Sequence, residues 1–377
     1  MRILHLCNKV PFPGRDGSSL AMEALIRLEV AAGYAVTVCA LNSDKHFVAN
    51  PTPLPGVELV SFRATISPKW YSAWRQFFHP ASFFAARFEH ESLRKEVRSR
   101  AQTVDLIVVD SLFMGLYTDE FGLTPWVLRT HNVEFQIWNR TLKHMRWSPK
   151  KWFIKWQSRR LEIWERQMIQ GTHIWAISEE DAIEMSFIGA KSTTVFPCTF
   201  DHLNQWHESG ASGKAIYHLG ALDWLPNIQG LQWYIEKVHP LVKAEVTVVS
   251  RTWPSTLERP ISIIHEPDLQ GRFSFSDHGI FIAPILSGSG MRIKLLEAMA
   301  RGKAIVTTGI GAEGLNGAQG VFVADSPEVF AQAIIQFVRD DHFRISQGKA
   351  SRAHAVANFA DQNYVESMRM AIQKMLS

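Results

Sequence analysis

The residues with the clearest chemical potential lie in one run, FIAPILSGSGMRIKLLEAMARGKAIVTTGIGAEGL, residues 281–315 of a 377-residue chain. Its apolar beginning breaks into Ser287, Gly288, Ser289 and Gly290. Arg292 and Lys294 follow where a helix begins, and Glu297 sits among Leu295, Leu296, Met299 and Ala300. GIFIAP reads as a strand and the segment from about Met291 to Arg301 as a helix, with Gly302 as its stop. The mouth of such a helix, here Ser289, Gly290 and Met291, presents free backbone N–H groups and the favourable end of the dipole to an anion. A cation in a first turn opposes that dipole by about 0.3–1 kcal/mol at an exposed site. Arg292 and Lys294 make sense there if a strongly negative ligand, such as a diphosphate, rests between them and the amides. The other reading is two solvated surface residues. Glu297, on the same helical face as Lys294, could bind the neighbouring hydroxyls of a ribose or simply pair with Lys294; spacing alone leaves both open.

A second set of candidates lies nearer the N-terminus. His131 directly follows the apolar run WVLRT, and Glu134 stands three residues later, either in a site or capping the next helix. Gly17, in GRDGSS, allows the backbone to approach a substrate or is a plain turn before a helix cap. No Asp-x-Asp pair and no His/Cys cluster at ligand spacing occurs, so the expectation is an enzyme without metal or other cofactor. GIGAEG (309–314) fits the Gly-x-Gly-x-x-Gly pattern after the strand AIVTT. Gly317 and Gly320 follow at once, however, and VFVAD is already the next strand, which leaves no room for the helix a dinucleotide needs.

The elements that must position these residues alternate. RILHLC, AVTVCAL, VELVSF, DLIVVD and PWVLRT read as strands separated by helical patterns, the first helix being LAMEALIRLEVAAG with Ser18 or Ser19 as cap and Gly33 as stop. The polar stretch between 198 and 214 reads as a linker. After it AIYHLG, EVTVVS, ISIIH, GIFIAP, AIVTT and GVFVA repeat the alternation. This is an α/β chain with two doubly wound, Rossmann-like domains, 1–205 and 206–360, and a final helix at about 361–377. Ligands of such sheets bind beyond the strand carboxyl ends, so two facing domains would share a central cleft. Hydrophobic residues at 46% and charged ones at 20% are ordinary for a globular enzyme, and a net charge of +4 is too small to argue for nucleic acid. Three scattered cysteines read as reduced thiols, and ILHLC is too short for a signal peptide. The expected location is cytoplasmic.

At this point the segments resemble a known family. GSGMRIKLLEAMARGKAIVTTGIGAEGL, GALDWLPNIQGLQWY (220–234), RTHNVEFQIWNR (129–140) and IWAISEEDA (174–182) look like retaining glycosyltransferases of the GT-B fold, the group 1 or family 4 type, in order along both domains. The resemblance implies that the helix mouth and basic residues hold a donor diphosphate and that Glu297 binds the nucleotide ribose. It also implies that His131 sits beside the reacting sugar and that the last helix crosses back onto the first domain. Gly220 and the loop with Gly311, Ala312 and Glu313 would pass close to the donor. The nucleoside-diphosphate sugar is then a substrate, not a cofactor. The family often carries a second Glu eight residues before the ribose-binding one, where this chain has Ser289, and an Arg and a Lys in the first donor-domain loop, which GALDWLPNIQG lacks. Arg292 and Lys294 would then carry the phosphate charge between them.

The implied reaction moves a sugar to a hydroxyl of a glycan or lipid-linked acceptor with retention. A nucleotide-sugar-binding protein without transfer activity and a sugar-nucleotide epimerase of related fold are the alternatives. RWSPKKWFIKWQSRRLEIWER (146–166) is basic and Trp-rich. A helix with Trp152 and Trp156 four apart could rest on anionic lipid at the inner membrane face, or could turn its tryptophans into the first domain.

Overall fold

The computed structural model describes residues 1–66, 79–145, 147–267, 273–288, 290–315 and 317–376. The chain forms two compact units: Met1–Thr199 together with Asp361–Ser377, and Phe200–Ala360.

The first unit is built on seven parallel strands: β1 Arg2–Cys7, β2 Ala35–Ser43, β3 Glu58–Ala64, β4 Leu106–Asp110, β5 Trp126–Arg129, β6 His173–Ala176 and β7 Ser192–Val195. Their order is β3-β2-β1-β4-β5-β6-β7. The order reverses between β1 and β4, the switch point at which such sheets open a crevice beyond their carboxyl ends. β1 and β4 are apolar nearly throughout because helices cover both faces of a parallel sheet. One apolar layer gathers Leu4, Leu6, Val109 and Leu128 with Leu93, Val97 and Leu161; the opposite layer gathers Ile3, Val38 and Val108 with Leu25 and Leu28. The helix Gly17–Ala31 is capped by Asp16, whose side chain accepts from the Ser19 amide while the Ser19 hydroxyl accepts from the Asp16 amide. Asp16, not Ser18 or Ser19, is thus the cap. A carboxylate is the stronger acceptor for amides at a helix start.

The final helix, Val365–Leu376, buries Met368 and Ile372 in the second of those layers. Arg27 Nε, 2.8 Å from Asp361 Oδ2, ties its entry to the first helix. The last segment therefore belongs to the first unit.

The second unit has six parallel strands: β8 Ile216–Leu219, β9 Val246–Val249, β10 Ile263–Glu266, β11 Ile280–Ala283, β12 Ala304–Thr307 and β13 Val321–Val323. They run in the order β10-β9-β8-β11-β12-β13, the same winding with its switch between β8 and β11. Its core packs Val246, Val248, Ile280, Ile282 and Val306 against Leu231, Tyr234, Phe330 and Ile334. The helix after Gly290 is shorter than expected. It runs Ile293–Ala300, with Arg292 as an extended cap residue at φ −93° and ψ 92° and Gly302 leaving its end at φ +75°.

Candidate functional site

In the second unit the carboxyl ends of β8 and β11 bring three basic side chains together. Lys294, in the first turn of Ile293–Ala300, sends Nζ to Asn227 Oδ1 at 3.2 Å. Asn227 is fixed in turn by its Nδ2, which donates to the Ala221 carbonyl at 2.9 Å. Lys294 is only partly covered along its stem. Its ammonium nevertheless lies deep enough that burial, with the nearby Arg292 charge, pushes it down to about 7. His218, on β8, is buried. Its Nδ1–H donates to the Ile282 carbonyl at 3.0 Å, and Nε2 has no hydrogen-bond partner among the described residues. Burial and the Lys294 charge push His218 down to about 3. Gly220 is small for a reason, since a Cβ there would lie 3.0 Å from His218 Nε2 and 3.5 Å from Asn227.

Arg292 does not occupy a first helical turn. Gly288 and Gly290, at φ +126° and +77°, turn the chain before the helix starts, and the guanidinium folds back over Gly288. A Cβ on Gly288 would lie 2.8 Å from Nη2. The dipole conflict expected for Arg292 is therefore absent, while the one for Lys294 stands. Lys294 is also no solvated surface residue. Ser289 lies outside the described residues. Ser287 Oγ, two residues earlier in the chain, is buried with no partner among the described residues.

Glu297 pairs with Arg301, not with Lys294: its Oε1 is 2.8 Å from Nη2 and 3.0 Å from Nε. Lys294 is drawn instead to Asn227. Arg301 lies over the Phe275 ring at 3.9 Å. The loop 309–314 is turn backbone, with β13 following, so it presents no helix to a dinucleotide. It is packed tightly: a Cβ on Gly311 would meet Thr307 Oγ1 at 2.0 Å, and one on Gly314 would meet Met291 Cα at 3.1 Å. Met291 and the Gly309–Gly314 loop, with Ala312 and Glu313, thus form one wall at the helix mouth.

The first unit gathers a different constellation. His131 Nε2 makes a short contact with Asp110 Oδ1 at the end of β4. The other oxygen, Oδ2, is 2.8 Å from His5 Nε2, and His5 Nδ1 is 3.0 Å from Glu29 Oε2. His5, Glu29 and Asp110 are all fully buried. Against the cost of burial, the neighbouring Glu29 and Asp110 raise His5 well above 6.5. The His131 and His5 charges hold Asp110 well below the usual carboxylate range, also against burial. Asp110 is therefore an anion, and a carboxylate facing Nε2 requires that nitrogen to carry the proton. Arg129, at the end of β5, adds a fully buried guanidinium whose nitrogens have no hydrogen-bond partner among the described residues. Burial pushes it down, offset chiefly by Asp110. His5, Cys7 and Asp110 place potential ligand atoms within 4.8 Å of one another. Burial holds Cys7 as a thiol at about 11, and His5 is already shared between two carboxylates. The donor set fits an ion-pair chain.

Glu134 does not cap its helix. The residue before the helix Glu134–His144 is Val133, and the buried Glu165 carboxylate accepts the Glu134 and Phe135 amides, each at 2.9 Å. Glu134 itself is pushed up to about 7 by burial. Gly17 is the exposed first residue of its helix, so neither space nor backbone demands a glycine there. The sequence reading passed over His5, Glu29, Asp110, Arg129, His218 and Asn227. A histidine or carboxylate inside an apolar strand, as in RILHLC, DLIVVD and AIYHLG, is the signal that could have found three of them, His5, Asp110 and His218.

Comparison with known proteins bears on both units. Residues 213–340 match the family model described as Glycosyl transferases group 1. A curated Klebsiella pneumoniae protein, an uncharacterized 44.6 kDa protein in the cps region, is 29% identical over 168 residues, 40% of this chain and 42% of that one. The chain thus spans under half the length of this relative. Among solved structures, sucrose-phosphate synthase from Thermosynechococcus elongatus superposes with a TM-score of 0.72 at 13% identity, over 100% of this chain and 99% of that one. Anabaena Alr3699/HepE in complex with UDP-glucose gives 0.65 at 14% identity, covering 99% and 100%. A trehalose-6-phosphate structure from E. coli, bound with UDP-2-fluoro glucose, gives 0.61 at 11% identity, covering 99% of each. The chain has the GT-B fold of two Rossmann-like domains, and the segment that carries Arg292, Lys294 and Glu297 is similar to the group 1 glycosyltransferases.

Proposed function

We propose that this chain is a glycosyltransferase that moves a sugar from a nucleoside-diphosphate donor to a hydroxyl of a glycan or lipid-linked acceptor. One observation carries the reading: Lys294, His218 and Arg292 converge at the β8 and β11 ends, with Lys294 and His218 held below their ordinary basicity. An entering diphosphate would offset that crowding. Two structural neighbours, each under 25% identical, bind UDP-glucose or UDP-2-fluoro glucose, so uridine donors are tried first.

In this reading the bond from the anomeric carbon to the β-phosphate oxygen breaks as the acceptor oxygen bonds to that carbon. The acceptor proton passes to the departing phosphate. Charge growing on that oxygen is met by Lys294, Arg292 and the amides at Gly290 and Met291, which favours the transition state over the bound donor. Glu297 holds the ribose, and the Gly311–Glu313 loop borders the sugar. On the first unit, Asp110 holds His131 with its Nε2 proton turned inward, which fixes the ring in one orientation for the part in transfer this reading gives it. Retention by this front-face route and independence of metal belong to the proposal.

A membrane contact belongs to it as well. Within the basic segment 146–166, the helix Pro149–Ile169 begins after Trp147 and the cap residue Ser148, and Arg146 lies outside the described residues. Trp152 is 65% exposed and stacks on Trp156 with ring centroids 6.4 Å apart. Lys150, Lys155 and Arg159 are exposed along the same helix, while Ile154, Gln157 and Leu161 face inward. No helix among the described residues is long and apolar enough to cross a membrane. A surface contact through tryptophan and lysine would put the protein at the inner face of the cytoplasmic membrane. Flotation with anionic liposomes tests this, and no binding at physiological salt ends it.

The enzymatic proposal is tested by incubating the protein with a panel of nucleotide sugars. Turnover that starts only when a hydroxyl acceptor is added supports transfer. Epimerised donor without acceptor, or binding without turnover under any acceptor, supports the alternatives. Calorimetry should show nucleoside-diphosphate binding weakened by Arg292→Ala and Lys294→Ala. If both variants bind as the parent does, the phosphate assignment is wrong.

A further inference from the structure

A cavity of about 290 Å³ opens on the first unit, and its polar lining is Asn8, Lys9, Lys45, His46 and Arg87. Asn8 and Lys9 follow β1, and Lys45 and His46 follow β2. Arg87 caps the short helix Phe83–Ala86. The cavity therefore lies at the carboxyl edge of the seven-stranded sheet, where ligands of such sheets bind. Asn8 Nδ2 donates to Ser111 Oγ at 3.3 Å, and Ser111 is the residue after Asp110, the partner of His131. One hydrogen bond thus separates the cavity lining from the segment that holds His131.

The lining has three permanent cations and no carboxylate. The carboxylates at its border are already engaged, Asp16 with two of the lining residues and Asp44 with backbone amides. Asp16 faces Lys9 at 3.1 Å and His46 at 3.4 Å while it caps its own helix. Asp44 accepts from the Lys45 and Ile66 amides, each at 3.0 Å. Arg87 Nε donates to the Phe84 carbonyl at 3.2 Å, and Glu134 is the carboxylate acting on it. A neutral glycan hydroxyl needs acceptors as well as donors from its site. Apart from the Asn8 Oδ1 acceptor, the charged groups of this lining are all donors, in the compact ammonium and forked guanidinium forms that suit phosphate oxygens.

We propose that this cavity receives a phosphate carried by the acceptor, so that the sugar acceptor is phosphorylated, either as a soluble sugar phosphate or through a diphosphate to a lipid. This inference rests on the glycosyltransferase reading, which it deepens by naming the acceptor class.

The test uses the full chain with the donor site saturated by nucleoside diphosphate and titrates inorganic pyrophosphate by calorimetry. The wild-type protein is expected to bind it, and Lys45→Glu, a change at an exposed side chain that should fold normally, to bind at least tenfold more weakly. Arg87→Gln should follow the same direction. Donor affinity, carried by the other unit, should stay within about twofold in both variants. A transfer assay then compares competition by a hexose phosphate and by a prenyl-diphosphate-linked sugar, and the stronger competitor identifies the source of the phosphate. Equal pyrophosphate binding by wild type and Lys45→Glu, or none by either, overturns the inference while leaving the donor assignment intact. Loss of nucleoside-diphosphate binding in the wild type would sink the parent reading instead.

Discussion

The carboxyl edges of the two sheets solve opposite electrostatic problems. In the first unit one buried chain alternates in sign: Glu29, His5, Asp110 and His131 follow one another, and the internal pairing raises one histidine and lowers one aspartate. In the second unit Lys294, Arg292 and His218 crowd each other, and the nearby Glu297 is taken by Arg301. Burial first, and the nearness of like charges after it, pushes Lys294 and His218 down, and an anion relieves both. The same winding thus yields a self-compensated chain around Asp110 on one unit and an uncompensated cluster of cations around Lys294 on the other.

The largest test breaks the compensated side. Asp110→Asn would leave the His5 charge facing only Glu29 and loosen His131. Removing one member of a buried pair costs about 3–5 kcal/mol. Thermal unfolding should show a large fall, and a shift within error would refute the ion-pair chain. The pH profile sharpens the same point. His5, raised above 6.5, contributes stability that is complete below that value and is lost as pH rises through its higher folded value. Asp110, lowered from 3.8, contributes stability present above that value and lost as pH falls through its lower folded value.

Next in size, His131→Ala should lower transfer by about 10²–10³, the scale of removing one preorganised polar group, with donor affinity retained. A parallel loss of donor affinity would argue that the two units do not divide the work. On the uncompensated side, Lys294 held at about 7 should make donor binding pH-dependent. The anion favours the protonated lysine, so binding takes up a proton above that value. Affinity should fall by about tenfold between pH 6 and 8. Calorimetry in buffers of different ionisation heat would detect the proton, and Lys294→Arg should flatten the profile. The smallest effect is expected for Glu297→Gln. Its half-buried pair with Arg301 is worth about 1 kcal/mol or less to stability, so a loss of donor affinity without a matching fall in melting temperature would mark a ribose contact.

The fold was legible because it rests on a local pattern. Buried apolar strands such as RILHLC and GIFIAP, with crossover helices between them, can only stack as parallel sheets. β6 and β7 were missed as strands: STTV, at the end of the sheet order, is only half-buried and carries no apolar run, and HIWA opens on a histidine soon after a 21-residue helix. The donor segment stood out because glycines, cations and a carboxylate are close in sequence. His5, Glu29 and Asp110 are 24 and 105 residues apart in their pairings, so no window of the chain could join them.

The chain by itself therefore determined two wound α/β domains, the Gly-rich turn before a helix, and the presence of Arg292 and Lys294 at its mouth, because each follows from neighbours within a few residues. Only tertiary packing decided that Lys294 meets Asn227, that Glu297 turns to Arg301, that Asp110 divides itself between His5 and His131, and that Lys9, Lys45 and Arg87 line one cavity. Those outcomes depend on burial and on distances between segments far apart along the chain, and both come into being only when the sheets assemble.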